Sequence, residues 1–228
     1  MRKVAFLFLL MLSSAFAFTQ DCDAFYAVKK GAKLGYSYFD GKDKLTSSSE
    51  TVVTDVKSVG SALEAQMSIS MKDKNNKPTF EGATKVVCKD DAVYMDITNL
   101  LGPQTQAFGK MEVSLAGDGV VLPNTLKAGQ KLADSHNEIK LGMNGTPIMT
   151  MTFDIREYVV EAEEKVTTPA GTFDCFRTSY QMSSKTMLVN TTVKVVQWFA
   201  KGVGVVKSET FDKKGNLDSR MVLQTFTK

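Results

Sequence analysis

From about residue 32 onward, apolar and polar residues alternate in short runs separated by clusters of turn-forming residues, the two-residue period of strands that bury one face. The clearest run is 148–155, where Met149, Met151, Phe153 and Ile155 fall on one face and Thr150, Thr152 and Asp154 on the other. Residues 46–57 and 61–71 are rich in Val, Thr, Ser and Ile, and Asp-Lys-Asn-Asn-Lys at 73–77 followed by Pro78 marks a reversal between strands. Three places share one hairpin chemistry: Phe39-Asp40 to Leu45, Met71-Lys72 onward, and Phe211-Asp212 to Leu217. The equal spacing of the first and third fits an internal duplication, and it equally fits turn chemistry selecting the same residues twice. These patterns predict an all-β (mainly β) protein built on a strongly curved antiparallel sheet.

The segment 102–132 breaks this rhythm at Gly102-Pro103, Gly117-Asp118-Gly119, Pro123-Asn124 and Gly129, and is expected to form a long loop or short helix covering one face of the sheet. No linker divides the chain into two cores, so residues 18–228 read as a single domain. Before them, residues 1–17 run from Met-Arg-Lys through an apolar stretch to Ala15-Phe16-Ala17, the three parts of a cleaved secretory signal peptide. The uncharged stretch is shorter than the roughly 18 to 20 residues a membrane-spanning helix needs. Cys22 follows Thr19-Gln20-Asp21, which is not a lipid-attachment sequence, so the mature protein is expected to be periplasmic or secreted.

Export changes the reading of the cysteines. Cys22, Cys88 and Cys175 meet an oxidising compartment, and three thiols allow one internal bridge. If the early strands form an up-and-down meander, Cys22 and Cys88 fall at the same end of the sheet and are the expected pair. Cys175, inside an apolar strand, reads as a small buried hydrophobe.

The hydrophobic content of 43% supports a core without any metal or disulfide scaffold. Lys plus Arg number 28 against 25 Asp plus Glu; with Arg2 and Lys3 cleaved away the surplus is a single charge. That is no footprint for nucleic acid, and no run of basic residues marks a membrane-binding patch. One histidine, His136, excludes every metal site that needs two imidazoles. A Ser-His-Asp set would have to use Ser135-His136, whose side chains point to opposite faces of an extended segment, and no Gly-x-Ser-x-Gly or Ser-x-x-Lys occurs. Gly202 and Gly204 read as a bend between strands rather than a phosphate loop. Glu161, Glu163 and Glu164 leave a carboxylate hydrolase as the remaining catalytic alternative. Neither a cofactor nor a metal is expected.

Apolar surface is what remains. Ten of the twelve Met lie outside the signal segment, and Met143, Met149, Met151, Met182 and Met187 fall in strand-like stretches with Phe153, Phe173 and Phe176. Methionine adapts its shape, so such a face suits an irregular core or a pocket for a flexible apolar ligand. Trp198, the only tryptophan, is placed to plug the end of the curved sheet or to line the pocket mouth.

The stretch Thr167-Thr168-Pro169-Ala170-Gly171-Thr172-Phe173-Asp174-Cys175 resembles a pattern in exported proteins of Gram-negative bacteria, including TapB-like proteins and related families of unknown function. The resemblance extends to residues 22–40, to Leu122-Pro123 through Leu126, Gly129 and Leu132, and to Trp198-Phe199-Ala200-Lys201-Gly202-Val203-Gly204. It implies a half-barrel similar to the LolA and LolB lipoprotein carriers. The resulting expectation is a non-enzymatic exported protein whose concave sheet binds an apolar or lipid-like ligand, or a segment of an envelope protein, through Met149, Met151, Phe153, Phe176 and Trp198. The alternative is an assembly factor that docks into an envelope complex through its strand edges.

Overall fold

The structure, a computed structural model, describes Cys22, residues 24–95, Ile97, residues 111–186 and residues 189–228. Residues 1–17, expected as a signal peptide, residues 98–110 and Met187 therefore lie outside the described residues. Among the described residues there are thirteen strands and no helix. They are β1 (Lys33–Asp40), β2 (Leu45–Val59), β3 (Ala62–Asp73), β4 (Pro78–Lys89), β5 (Ala92–Met95), β6 (Glu112–Gly117), β7 (Val120–Pro123), β8 (Ser135–Met143), β9 (Thr146–Thr168), β10 (Gly171–Lys185), β11 (Asn190–Ala200), β12 (Gly204–Phe211) and β13 (Leu217–Thr227). All belong to one antiparallel sheet, in the order β6-β8-β9-β10-β11-β12-β13-β1-β2-β3-β4-β5-β7.

That order dictates the curvature. β6 and β7 are the two edges, yet only Asp118 and Gly119 separate them in the chain. Gly117 pairs with Asn137 of β8, and Val120 pairs with Met95 of β5. Three peptide steps reach about 10 Å, so the sheet curls until its first and last strands nearly touch, without forming the ladder that would close a barrel. The seam demands glycine. Gly117 and Gly119 both have positive φ, and a Cβ on Gly119 would sit 2.7 Å from the Met95 carbonyl oxygen. Polar bonds tie the seam down: the Asp118 N–H donates to the His136 carbonyl, the His136 N–H to Asp118 Oδ2, and the Gly119 N–H to Oδ1 of buried Asn137.

The segment expected as a loop or helix is thus, from Glu112 to Pro123, two edge strands; Gly117-Asp118-Gly119 is the seam between them rather than part of a lid. Short runs such as Val120-Val121-Leu122 are legible as strands only once the neighbouring edge is known.

Long strands bend to follow the curl. β9 spans 23 residues and shifts register against β10 beside Glu157, whose positive φ makes a bulge. Hairpins alternate between two ends of the sheet. One end carries the turns at 41–44, 74–77, 144–145 and 212–216 and the ends of β10 and β11 at Lys185 and Asn190, the other the turns at 60–61, 90–91, 169–170 and 201–203. The three turns that look alike in sequence are one structure. Asp40 Oδ1 accepts the N–H groups of Lys42 and Lys44, Asp73 Oδ1 those of Asn75 and Lys77, and Asp212 Oδ1 those of Lys214 and Asn216. Each turn then has a positive φ at its third residue beyond the aspartate, Asp43, Asn76 or Gly215. Turn chemistry accounts for the shared spacing.

The N-terminal segment closes the second end. Cys22 is disulfide-bonded to Cys88 of β4. Ala24, Phe25 and Ala27 are buried, the Gly202 N–H donates to the Ala24 carbonyl, and the Phe25 ring meets Phe176 edge-on at 5.5 Å. Around this plug lie Val53, Met67, Val86, Val160, Phe199, Val206 and Leu223, all buried.

Candidate functional site

Directly opposed residues of antiparallel strands share a face, so the pairing register defines the concave wall. Met149 opposes Leu141, Met151 opposes Ile139, and Phe153 opposes both Asn137 and Ser184. Ile155 opposes Met182, and β10 then keeps regular register with β11, where Phe176 opposes Phe199, Thr178 opposes Gln197, and Met182 opposes Val193. Gln197 opposes Ser208, Ser208 opposes Met221, Met221 opposes Tyr38, and Tyr38 opposes Ser47. Ser49 opposes Met71, which opposes Phe80. From the level of Thr178 and Gln197 to the Asp-capped hairpins this wall carries no charged side chain among the described residues; Glu163, opposite Phe176 at the plug end, is exposed.

The two halves of the wall differ. Near the plug most positions are buried, Phe176 being half-buried, whereas toward the hairpin end Met149, Met151, Tyr38, Ile69, Phe80, Val193 and Met221 are half-buried beside buried Ser47, Ser49 and Met71. The Phe80 ring lies over Gly82, where a Cβ would come within 2.5 Å of it, so glycine lets the aromatic face flatten against the wall. Hydroxyls interrupt the apolar surface. Tyr36 donates to the Val205 carbonyl at 3.0 Å, and Tyr38 and Ser49 share a hydrogen bond of 3.1 Å. Burial pushes the Tyr36 and Tyr38 phenols up from their ordinary value, so both stay neutral. Gln197 is buried, and its Oε1 has no hydrogen-bond partner among the described residues.

Of the five residues expected to contact a ligand, Met149, Met151, Phe153 and Phe176 share this wall; the first two are half-buried, Phe153 is packed, and Phe176 is half-buried against Phe25. Trp198 is not among them. It opposes Arg177 and Lys207 on the convex face, so it neither plugs the sheet nor lines its mouth. Its Nε1–H donates to Glu164, and the Lys207 ammonium sits 4.5 Å above the ring. Strand parity was the signal available: Phe199 and Trp198 cannot both face inward. Met182 is buried on the wall and Met143 stands exposed at a hairpin tip.

The remaining polar clusters are occupied by structure. Glu161 accepts from Ser179 Oγ and Arg177 Nε, and these bonds, with Lys194 nearby, hold its carboxyl below the ordinary range. Glu164 is paired with Arg177, so both carboxylates belong to a convex-face network. His136 Nδ1 lies 2.9 Å from Asp154 Oδ1 on the outside, while Ser135 opposes Ile155 on the inner wall, so Ser135 and His136 do not share a site. Cys175 is buried, and burial pushes its thiol up to about 11.

A family model described as DUF3108-like matches residues 29–223, nearly the whole sheet. The chain belongs to the DUF3108-like family. Its fold recurs in a protein described as exported and of YmcC-like fold from Bacteroides fragilis, 21% identical over 90% of this chain and 99% of that one, with a TM-score of 0.76. It recurs also in a protein described as a lipoprotein from Parabacteroides distasonis, 22% identical over 91% of this chain and 100% of that one, with a TM-score of 0.78. At such identities the likeness shows the fold alone. No curated protein matches the chain. The comparisons place this DUF3108-like chain with YmcC-like folds; a relation to TapB-like proteins or to the LolA and LolB carriers is not shown by them.

Proposed function

We propose that this DUF3108-like protein is a non-enzymatic envelope protein that binds an apolar or lipid-like ligand against the hairpin-end half of its concave wall. The observation that carries the reading is the contrast between the halves: one is filled by residues 24–32, and the other leaves an uncharged surface of Met149, Met151, Tyr38, Ile69, Phe80 and Met221 half-buried. Apolar area of this kind gains about 25 cal/mol per Å² when a ligand covers it. Methionines adapt to a flexible chain, and the tyrosine and serine hydroxyls supply hydrogen bonds without a charge. Gln197 Oε1, without a partner among the described residues, supports a ligand with a polar group near that level of the wall, since a buried acceptor without a donor is costly.

The test is a Met151→Glu variant assayed with a fluorescent fatty-acid probe. A carboxylate at this half-buried position is expected to lower probe affinity at least tenfold while the circular-dichroism spectrum is unchanged. Parent-like affinity with an intact fold would remove Met151 from the site.

A further inference from the structure

The topology gathers at one end of the sheet what the sequence scatters. Hairpins at 41–44, 74–77 and 213–216 carry Lys42, Lys44, Lys74, Lys77, Lys213 and Lys214, all exposed and none in an ion pair among the described residues. The one carboxylate inside those turns, Asp43, is paired with Arg220 at 2.9 Å. The aspartates that open the turns, Asp40, Asp73 and Asp212, are folded back onto backbone N–H groups. At the opposite end the hairpin turns hold Lys201 with Asp90 and Asp91, and Lys29, Lys30 and Lys127 lie in the segments that pack there, Lys30 paired with Asp55.

Apolar side chains stand at the same end, Leu45 beside a lysine-bearing hairpin and the others at the β8–β9 and β10–β11 connections. Met143, Ile148 and Val189 are each 56% exposed and Leu45 is 42% exposed, all beside hairpins of the lysine-bearing end. The β8–β9 hairpin reaches farthest. β10 ends at Lys185 opposite Thr152, so residues 146–151 run on beyond it for roughly 20 Å at about 3.3 Å per residue. Lysines beside protruding apolar tips match a bilayer surface, where ammonium groups meet anionic headgroups and short apolar residues enter the interface.

We propose that this hairpin end is a docking surface for an anionic lipid bilayer, with Met143 and Ile148 as the inserting tip and the six lysines as headgroup contacts. It stands whether or not the concave wall holds a ligand. Each lysine near an anionic surface is worth about 1 kcal/mol, close to a fivefold change in partition.

The experiment is flotation of the mature protein with vesicles of phosphatidylglycerol and phosphatidylcholine in equal parts, against phosphatidylcholine alone, at low and physiological salt. The protein is expected to float with the anionic vesicles, less so at higher salt, and to stay behind with neutral ones. Lys74→Gln, Lys213→Gln and Lys214→Gln together are expected to weaken partition on the order of a hundredfold. Met143→Asp with Ile148→Asp should also release the protein, and Lys57→Gln with Lys127→Gln at other surfaces should leave binding unchanged. Because every substituted residue is exposed, the fold is expected to survive in each variant, with thermal melting as the control. Equal flotation with both vesicle types, no flotation, or parent-like binding by the triple lysine variant overturns the proposal. Probe binding at Met151 is measured without vesicles, so either proposal can fail alone.

Discussion

Removing the disulfide tests how the plug is held. Cys22 and Cys88 are separated by 66 residues, with Cα atoms 6.0 Å apart. The chain-entropy relation for a closed loop of that length gives about 4.4 kcal/mol at 25 °C. For a protein of this size each kcal/mol moves the melting midpoint by roughly 2 to 4 °C, so Cys22→Ser with Cys88→Ser is expected to melt about 9 to 18 °C lower. The loss should begin at the plug. Freed from β4, residues 24–32 keep the burial of Ala24, Phe25, Ala27 and Ala32, the packing of Tyr26 and Val28 on the core, and a few backbone bonds, such as Gly202 N–H to the Ala24 carbonyl and Gly31 N–H to the Val53 carbonyl. Urea melts would measure the global change, and amide exchange at Gly202 the local one. A fall in stability below about 1 kcal/mol, with protection at Gly202 retained, would refute the claim that this bond fastens the plug.

Three further outcomes follow from the same geometry. Gly119→Ala places a Cβ 2.7 Å from the Met95 carbonyl oxygen at positive φ and is expected to cost more than about 1 kcal/mol in urea melts, against a near-neutral result if the seam is loose. The Cys175 thiol, pushed up to about 11 by burial, should resist alkylation at pH 8 until the protein unfolds; because the folded state holds its proton longer, this group's stabilisation declines as pH rises above the ordinary thiol value toward 11. Asp73, held below the ordinary carboxylate range chiefly by the Lys77 N–H, contributes stability that is present above about pH 4 and lost as pH falls through its lowered value. A carboxyl-detected NMR titration that found Asp73 at the ordinary value would contradict that turn geometry.

The strands were legible because each buries one face: the 148–155 alternation survives intact in β9, and the three Asp-opened turns read from composition are three copies of one hydrogen-bonded loop. The seam was not legible, because Gly117-Asp118-Gly119 satisfies a loop pattern and only the pairing of β6 with β8 and of β7 with β5 reveals two edges meeting. Four of the five candidate contacts lie on the wall since face parity carries over from strand to strand; Trp198 does not, because it alternates with Phe199, which faces inward. The basic end escaped notice for a different reason. Its six lysines come from three hairpins far apart in sequence, and net charge averages them against acids elsewhere.

The central claim is that the half-buried wall around Met149 and Met151 holds an apolar ligand. Its most direct measurement is native mass spectrometry of the protein isolated from its native cells under non-reducing conditions, before and after organic extraction. The account predicts a lipid-sized adduct that leaves on extraction and is absent from the Met151→Glu variant. A bare monomer, or an adduct that the variant retains, would contradict it.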